Sequence, residues 1–232
     1  MKPVADVIAL VACLDQGRRL ELTLDDLRNQ TRPPLETTVV ELGSTDPNTI
    51  ACLQTRARAG VGVVRPDTRQ IARGWNEGLA RSEATLVLLL PSGARLPSSL
   101  LEQAERELDS AGDCDFLVLS PGVDADDPRA WPAVLTPVAL LSSTARRPIA
   151  LFRRTLWQRL NGFDESLSGL AGVDLLISGV AQGGCGRTLA AGPGFEQGNW
   201  PPHDHLAAAS RLFRKHEGFL AAATGCTRRS SA

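Results

Sequence analysis

The segment Thr85–Pro97, TLVLLLPSGARLP, carries the clearest structural signal in the chain. Its apolar run ends at Leu90 and is followed at once by Pro91, Ser92 and Gly93. An unbroken apolar run of this length is typical of a strand buried on both faces of a parallel sheet. Because ligands bind beyond the carboxyl ends of such strands in open α/β sheets, the residues after Leu90 are expected to face a binding site.

The patterns on either side of this strand alternate between strand-like and helix-like, which predicts an α/β fold with a mostly parallel central sheet flanked by helices. The other predicted strands cover residues 7–14, 36–41, 61–64 and 116–119. The predicted helices cover residues 19–30, 49–59, 70–81, 98–111, 155–160, 173–182 and 206–222, with Ser98 or Ser99 as the expected N-cap of the fourth. Residues 121–133 are rich in turn formers and predict an irregular loop. Without a repeat or a linker, residues 1–226 are predicted to form one domain and residues 227–232 a disordered tail.

The composition is that of an ordinary globular protein, with 43% hydrophobic and 22% charged residues among 232. A net charge of -1, from 25 basic and 26 acidic residues, creates no overall field that would attract nucleic acid or an anionic membrane. Aromatic residues make up only 4% and include no tyrosine, which argues against a base-stacking surface. We therefore expect no nucleic-acid partner.

Five scattered cysteines contain no C-x-x-C pair, so neither a zinc site nor a disulfide framework is predicted, and reduced thiols of a cytoplasmic protein are the favoured interpretation. The N-terminal segment ending at Cys13 is similar to a lipoprotein cleavage box, but Pro3 and Asp6 interrupt its apolar run. No segment approaches the roughly 20 apolar residues that a membrane span needs. A cytoplasmic protein without a membrane span is expected.

Five segments, in their order, resemble the bacterial family 2 glycosyltransferases, which transfer sugars from nucleotide-sugars and have the GT-A fold. They are IALVACLDQGRRLELTLDDLRNQT, ETTVVELGSTD, ARGWNEGL, LVLLLPSGARLP and ALFRRTLWQRLNGFDESLSGLAGVDLL. The resemblance runs from about Val7 to about Ala190. It implies a single GT-A-like, Rossmann-like domain and a nucleotide-sugar or nucleotide as the candidate ligand.

In that family the turns after the first two strands hold the base and ribose. Here those turns read Ala12-Cys13-Leu14-Asp15 and Glu41-Leu42-Gly43-Ser44, so the acid most associated with the base is replaced by Leu42. For Asp15 and Glu41, a solvated strand end or a helix cap is an equally weighted alternative. The resemblance implies these nucleotide-binding residues: Ala12, Leu14, Asp15, Glu41, Gly43 and Ser44.

The segment ARGWNEGL matches the family's Ala-Arg-Asn-x-Gly element through Asn76 and Gly78, and Arg73 is the candidate phosphate contact. This element also packs the fold together, so its presence supports the architecture more than the activity.

The family's Asp-x-Asp motif falls on Pro91 and Gly93, which leaves Ser92 and Gly93 as candidate nucleotide contacts without a carboxylate. Mg²⁺ and Mn²⁺ are hard cations that prefer oxygen ligands, so no metal cofactor is expected unless a metal-dependent alternative holds. The family's general base falls on Gly172. Asp174 is a weak catalytic candidate, because residues two apart on a helix point to different faces, and stabilisation of the helix N-terminus is the favoured role.

Three groups could supply a replacement chemistry. His203 and His205 form a weak candidate metal pair, with loop histidines as the favoured alternative. The acidic run of residues 124–127 lies a helix and a strand beyond the aligned site, and a solvated loop is its default interpretation. Cations on the last helix could neutralise a leaving diphosphate or form a solvated face. They are Arg211, Arg214, Lys215 and His216.

Three functions remain. The favoured hypothesis is a non-catalytic, glycosyltransferase-like binding or scaffold protein that has lost its metal-binding and general-base acids and acts beside a partner protein. The alternative is an active, metal-independent glycosyltransferase of hexosyltransferase type. A small-molecule binder or an enzyme unrelated to sugars is the least favoured, because the five ordered segments would need another explanation.

Overall fold

A computed structural model describes residues 5–121, 131–132, 135–142, 147–192, 194–196, 198–201 and 205–223. The described strands are β1 (Ala5–Cys13), β2 (Pro34–Glu41), β3 (Gly62–Val64), β4 (Leu86–Pro91), β5 (Cys114–Ser120), β6 (Ile149–Arg153) and β7 (Cys185–Ala190). The described α-helices are α1 (Gly17–Arg28), α2 (Pro47–Arg58), α3 (Ile71–Ala80), α4 (Leu100–Ser110), α5 (Pro137–Ser142), α6 (Arg154–Arg159), α7 (Ala171–Ala181) and α8 (His205–Ala223). A 3₁₀ helix covers Glu165–Leu170.

The seven strands form one sheet in the order β3-β2-β1-β4-β6-β5-β7. Only β6 runs against its neighbours, pairing antiparallel with both β4 and β5. The predicted α/β class with a mostly parallel sheet is confirmed. The sequence-based prediction missed α5, β6, the 3₁₀ helix and β7. Strand β7 was not predicted because its sequence, CGRTLA, has no apolar run and its residues are half-buried or exposed.

Two apolar cores lie on the two faces of the sheet. Along β4 all six residues are buried, as the apolar run predicted, and successive side chains enter opposite cores. Leu88 packs in the core beneath α1, α2 and α4, while Leu89 packs in the core beneath α3 and α7. Burying a leucine contributes about 1.5–3 kcal/mol, so β4 anchors both layers and holds its carboxyl end in a fixed place.

Helix starts near the sheet edge differ in how they are capped. At α2 the Asp46 carboxylate accepts from the Thr49 amide at 2.9 Å, and Pro47 occupies the first helical position, where its missing N–H costs nothing. At α4 the N-cap is Ser99, as predicted, but its hydroxyl makes no capping bond and instead accepts from the Gln103 side chain at 2.7 Å.

A helix that crosses a membrane must be both long and apolar, and none of the described helices meets both conditions.

Candidate functional site

The turn after β4 is held by its own hydrogen bonds at the carboxyl edge of the sheet. Both the amide and the hydroxyl of Ser92 donate to the Ala12 carbonyl at 2.9 Å, and Ser92 is fully buried. Gly93 follows with φ +83, and its amide donates to the Thr23 hydroxyl at 2.9 Å. The Ser92 hydroxyl and the Ala12 carbonyl are therefore bonded to each other, and this contact joins the ends of β1 and β4.

The N-terminal half of α1 is in direct contact with the turn after β4. A Cβ at Gly93 would lie 3.3 Å from Cβ and Cδ of Arg19, so the stem of this arginine packs on the turn. Among the described residues, no group of three or more His, Cys, Asp and Glu is arranged to hold a metal ion. Pro91 and Gly93 supply no carboxylate, and the pocket beside the turn is also lined by the side chains of Arg19 and Arg95. These residues do not fit a divalent cation.

The chain after β7 crosses this turn; we call residues 194–196 and 198–201 the strap. The Arg95 amide donates to the Glu196 carbonyl at 2.9 Å, and the Glu196 amide returns a bond of 3.0 Å. At Gly198 the contact is backbone on backbone, because a Cβ there would lie 2.4 Å from the Ala94 nitrogen and 2.9 Å from the Ser92 oxygen. The strap therefore lies directly against the turn that aligns with the family's metal-binding motif.

The position of the family's general base lies in apolar surroundings. A Cβ at Gly172 would meet Cδ1 of Leu89 and Cζ3 of Trp75, each at 3.6 Å. Trp75 is 1% exposed, and its ring centroid lies 5.1 Å from that of Phe163 and 5.9 Å from that of Trp200 in the strap. The Trp75 Nε1 group is buried and has no hydrogen-bond partner among the residues that the structure describes. This aromatic cluster fills the space between α3, α7 and the strap.

Arg147 fastens the strap from the side of β6. The Trp200 indole donates to the Arg147 carbonyl at 2.8 Å, and the Arg147 guanidinium donates to the Pro201 carbonyl at 3.1 Å while lying over the Trp200 ring. Burial lowers the pKa of Arg147 to about 10. The arginine remains charged at neutral pH, and it joins the strap to the segment before β6.

Asp174 faces α8 and has two partners there, a lysine ammonium and a histidine imidazole. Its carboxylate oxygens lie 2.8 Å from Lys215 Nζ and 2.8 Å from His216 Nε2, and Asp174 and His216 are both buried. Lys215 also donates to Asp164 at 2.8 Å. Burial opposes the charge of Lys215, but its bonds to Asp164 and Asp174 raise its pKa above the usual value. Asp174 therefore ties α7 to α8.

The basic cluster on α8 is mostly engaged in packing. In addition to the pairs of Lys215 and His216, Arg211 donates to the Ser166 carbonyl at 2.8 Å, whereas Arg214 is exposed. The interpretation of this cluster as a solvated face is wrong for His216, which is 6% exposed. Helical periodicity alone does not distinguish a polar side chain that meets a buried carboxylate from one that meets water.

On the β1 and β2 side, the candidate nucleotide residues form one polar cluster. The Glu41 carboxylate accepts from the amides of Gly43 and Ser44 at 2.7 and 2.5 Å. The Asp15 carboxylate accepts from the amides of Thr45 and Asp46 at 2.6 and 2.8 Å, and its own amide donates to the Ser44 hydroxyl. The two acids thus order the loop after β2, with Glu41 buried and Asp15 exposed.

The leucines of these turns contact the core instead. Leu42 is 5% exposed and packs in the cluster that contains Trp75, and Leu14 is half-buried against the same cluster. The side chain that replaces the family's base-associated acid thus points into protein. An apolar side chain is stable there because it buries its surface among apolar neighbours.

Two arginines that the sequence-based prediction did not name, Arg65 and Arg69, contact this polar cluster, whereas the predicted phosphate contact Arg73 forms other ion pairs. Arg73 pairs with Asp67 at 3.6 Å and with Glu77 at 3.2 Å. Arg65 lies 3.5 Å from the Glu41 carboxylate, and the Arg69 side chain packs on Gly43, whose φ is +88. The turn sequence after β3, RPDTR, was the available signal, because loops at the carboxyl edge carry ligand contacts.

Asn76 is turned away from this cluster. Its side-chain nitrogen donates to the Phe163 carbonyl at 3.0 Å and to Glu165 at 3.1 Å, and its oxygen accepts from Trp157 Nε1 and the Phe163 amide. These four bonds brace α3 against the turn before the 3₁₀ helix. The candidate nucleotide residues therefore fall into a β1/β2 group, a β4-turn group and two α3 residues with different neighbours.

Two further candidates involve residues that are not described. His203 and residues 124–127 lie outside the described residues, as does the tail of residues 227–232. His205 begins α8, and only its backbone is described.

Comparison with known proteins supports the fold. No protein-family model and no curated protein sequence matches the chain. Three solved structures share its architecture: TarS 1–349 of S. aureus, the mannosyltransferase PcManGT of Pyrobaculum calidifontis in complex with GDP-Man and Mn²⁺, and glucosyl-3-phosphoglycerate synthase of Mycobacterium tuberculosis in complex with Mn²⁺, UDP and glucosyl-3-phosphoglycerate. The TM-scores are 0.65, 0.63 and 0.59, with identities of 15%, 18% and 16%.

These alignments cover 97%, 97% and 96% of this chain and 75%, 76% and 81% of the respective neighbours. TarS 1–349 is also known in complex with UDP and with UDP-GlcNAc. The neighbours are GT-A glycosyltransferases, so the chain has a glycosyltransferase-like GT-A fold. At these identities the similarity concerns the fold alone.

Proposed function

We propose that this chain is a glycosyltransferase-like protein that has lost the metal-binding and general-base acids and acts without catalysis, as a binding or scaffold protein. The observation that carries the proposal is the contact of Gly198 with the β4 turn, where a Cβ would lie 2.4 Å from the Ala94 nitrogen. Backbone atoms of the strap lie directly against the turn that aligns with Asp-x-Asp, and the pocket that remains beside the turn is lined by Arg19, Arg95 and the single carboxylate of Glu196. A diphosphate with its cation needs several oxygen ligands at this place.

The surroundings of Gly172 support the same proposal. A general base must lie within hydrogen-bond reach of the proton that it abstracts. Gly172 has no side chain, and its neighbours Trp75 and Leu89 are apolar. Asp174, the nearest acid along α7, is buried against Lys215 and His216. Its carboxylate is held on the α8 side of the helix.

The ligand we propose is a nucleotide or nucleotide-sugar, bound at the β1/β2 side without Mg²⁺ or Mn²⁺. The exposed Arg65 and Arg69 surround the loop that Glu41 and Asp15 order, and guanidinium groups bind phosphate well. A partner protein is part of the proposal because a scaffold acts through what it binds. A cytoplasmic location remains a prediction, as does one domain over residues 1–226.

One observation favours the alternative, an active metal-independent glycosyltransferase. The Arg19 side chain packs on Gly93, beside the place where the family's metal would lie. A preorganised arginine can stabilise the charge that develops on a leaving diphosphate. In this alternative Arg19 neutralises the leaving diphosphate, which is the role predicted for the cations of α8.

The test combines binding with turnover. Calorimetric titrations of the full chain with UDP-GlcNAc and GDP-Man, in Mn²⁺ or in EDTA, are paired with an assay of nucleotide release. We expect no release in either buffer and equal binding in both. Release that requires Mn²⁺ would overturn the proposal. Release that persists in EDTA, is lost in Arg19→Gln and is kept in the exposed control Arg18→Gln would establish the alternative.

A second test restores the missing acids. The triple variant Pro91→Asp, Gly93→Asp, Gly172→Asp carries carboxylates at all three aligned positions. We expect no calorimetric Mn²⁺ binding, because the strap still packs on the turn and the Arg19 side chain still lines the site. Circular dichroism and urea unfolding establish that the variant folds. Mn²⁺ binding by the folded variant would contradict the claim that the strap closes this place.

A further inference from the structure

Two cysteines begin neighbouring strands at the edge of the sheet remote from the nucleotide side. Cys114 opens β5, Cys185 opens β7, and the two are register partners in the parallel pair. Neighbouring strands lie about 4.8 Å apart, and disulfides join residues whose Cα atoms lie roughly 4.4–6.8 Å apart. Register partners present their side chains on the same face. The backbone therefore places the two cysteines at a separation that a disulfide can bridge.

The two side chains are in contact but differ in exposure. The Cys114 sulfur lies 3.7 Å from the Cys185 carbonyl oxygen, and the Cys185 thiol contributes to the raised pKa of Cys114. Cys114 is 1% exposed, whereas Cys185 is exposed. One thiol is thus open to a soluble oxidant, and its neighbour can react only with a group inside the sheet.

The backbone around Cys185 can adjust to a covalent bond. Glycines flank it at 183, 184 and 186, and Gly183 has φ +85. On the other strand, the register is irregular between Cys114 and Phe116. Glycine-rich backbone and an irregular ladder both tolerate small shifts. These features allow the two Cβ atoms to approach while the rest of the β5–β7 ladder stays paired.

We propose that Cys114 and Cys185 form a reversible disulfide when the protein meets a peroxide. The Cys185 sulfur attacks hydrogen peroxide, the O–O bond breaks, and a sulfenic acid and one water form. The Cys114 sulfur then attacks the Cys185 sulfur, the S–O bond breaks, and the hydroxyl leaves as a second water with the Cys114 proton. One peroxide thus takes two electrons and two protons from the two thiols.

The second step has a distinctive pH dependence. Burial raises the pKa of the Cys114 thiol to about 11, against a smaller opposing effect of its hydrogen bond to Phe116. The charged groups that face it are Arg187 on β7 and Arg153 on β6, whose Nε donates to the Cys114 carbonyl at 3.0 Å. Because the thiolate is the nucleophile, the rate of closure should rise about tenfold per pH unit between pH 7 and pH 10.

The disulfide would act on the strap through β7. Among the described strands, β7 lies at the edge of the sheet and pairs with β5, and the strap follows shortly after its last residue, Ala190. The bond would join residues 71 positions apart in the chain. Closing a loop of this length should raise the melting temperature by about 5–10 °C and slow amide exchange in β7 and the strap.

The experiment treats the reduced full chain with hydrogen peroxide in a Cys226→Ser background, which removes a competing thiol. We expect the loss of two hydrogen masses, a cross-linked peptide pair containing Cys114 and Cys185, reversal by dithiothreitol and the higher melting temperature. Cys185→Ser, at an exposed position, should fold normally and leave Cys114 reduced. Stopped-flow closure from a preformed sulfenic acid measures the pH dependence.

Either of two results would overturn the proposal. The first is sulfinic or sulfonic acid at Cys185 while Cys114 remains open to alkylation after unfolding. The second is a disulfide between two chains. Oxidised protein with the 114–185 link but an unchanged melting temperature and unchanged exchange in β7 would overturn the effect on the strap.

Discussion

The two halves of the carboxyl edge of the sheet differ in what packs against them. On the β1/β2 side, Asp15 and Glu41 hold a loop open with bonds to backbone amides, and exposed arginines surround it. On the β4 side, the strap lies on the turn and Trp75 fills the space beside Gly172. The same edge therefore has a polar surface at one end, which we call the open half. At the other end the strap packs on a turn beside an aromatic cluster, and we call this the closed half.

The largest expected effect tests whether the closed half is a true core. Trp75→Ala removes a side chain that is 1% exposed and contacts Phe163 and Trp200. We expect it to lower the free energy of unfolding by about 3–5 kcal/mol, measured by urea denaturation. Leu206→Ala, at a position 79% exposed, should change it by less than about 0.5 kcal/mol. Similar costs for the two variants would mean that the region beside Gly172 is loosely filled.

A second prediction concerns the attachment of α8. Asp174→Asn leaves Lys215 and His216 without their buried carboxylate, and we expect a loss of about 2–4 kcal/mol in the free energy of unfolding. Asp164→Asn, whose side chain is 30% exposed, should cost less than about 1 kcal/mol. An equal loss in both variants would contradict a special role for Asp174.

The same attachment predicts an alkaline loss of stability. The folded pKa of Lys215 is raised above 10.5, its usual value, because its hydrogen bonds to Asp164 and Asp174 outweigh burial. Its contribution is therefore complete below pH 10.5 and is lost as the pH rises through the folded pKa. The free energy of unfolding, measured by urea denaturation from pH 9 to pH 12, should decline more steeply in the wild type than in Lys215→Met. Parallel curves would show that Lys215 is not involved.

A fourth prediction compares two glycines of the strap. Gly198 and Gly194 have φ +69 and +86, so alanine is strained at both, but of the two only Gly198 has close neighbours among the described residues. Gly198→Ala should lower the free energy of unfolding by about 1–3 kcal/mol more than Gly194→Ala, because its Cβ meets backbone that cannot move aside. No difference between the two variants would show that the strap does not press on the β4 turn.

The smallest expected effect applies the same comparison to the open half. Gly43 and Gly60 have φ +88 and +94; a Cβ at Gly43 would meet the Arg69 side chain, and one at Gly60 would meet nothing within 4 Å. Since an exposed arginine can swing away, the two alanine variants should differ by less than about 0.5 kcal/mol in urea denaturation. A penalty for Gly43→Ala as large as that for Gly198→Ala would mean that the open half is as tightly closed as the other.

Much of the fold could be predicted from local patterns. The apolar run ending at Leu90 specified a buried strand, and alternation along the chain specified the parallel sheet. Strand β6 was missed because its five residues, IALFR, lie between segments without strong periodicity, and its antiparallel pairing depends on β4 and β5. Short strands acquire their identity from neighbours rather than from their own composition.

The sequence was sufficient to predict which residue types the candidate site lacks. The sequence by itself determined that Pro91, Gly93 and Gly172 carry no acid, because side-chain chemistry belongs to each residue alone. It also determined the buried strand β4, because a strand that is buried on both faces needs a continuous apolar run. Only the tertiary structure decided that Gly198 lies on Ala94 and that Asp174 meets His216. Those contacts join residues 104 and 42 positions apart, and the packing of whole elements brings them together.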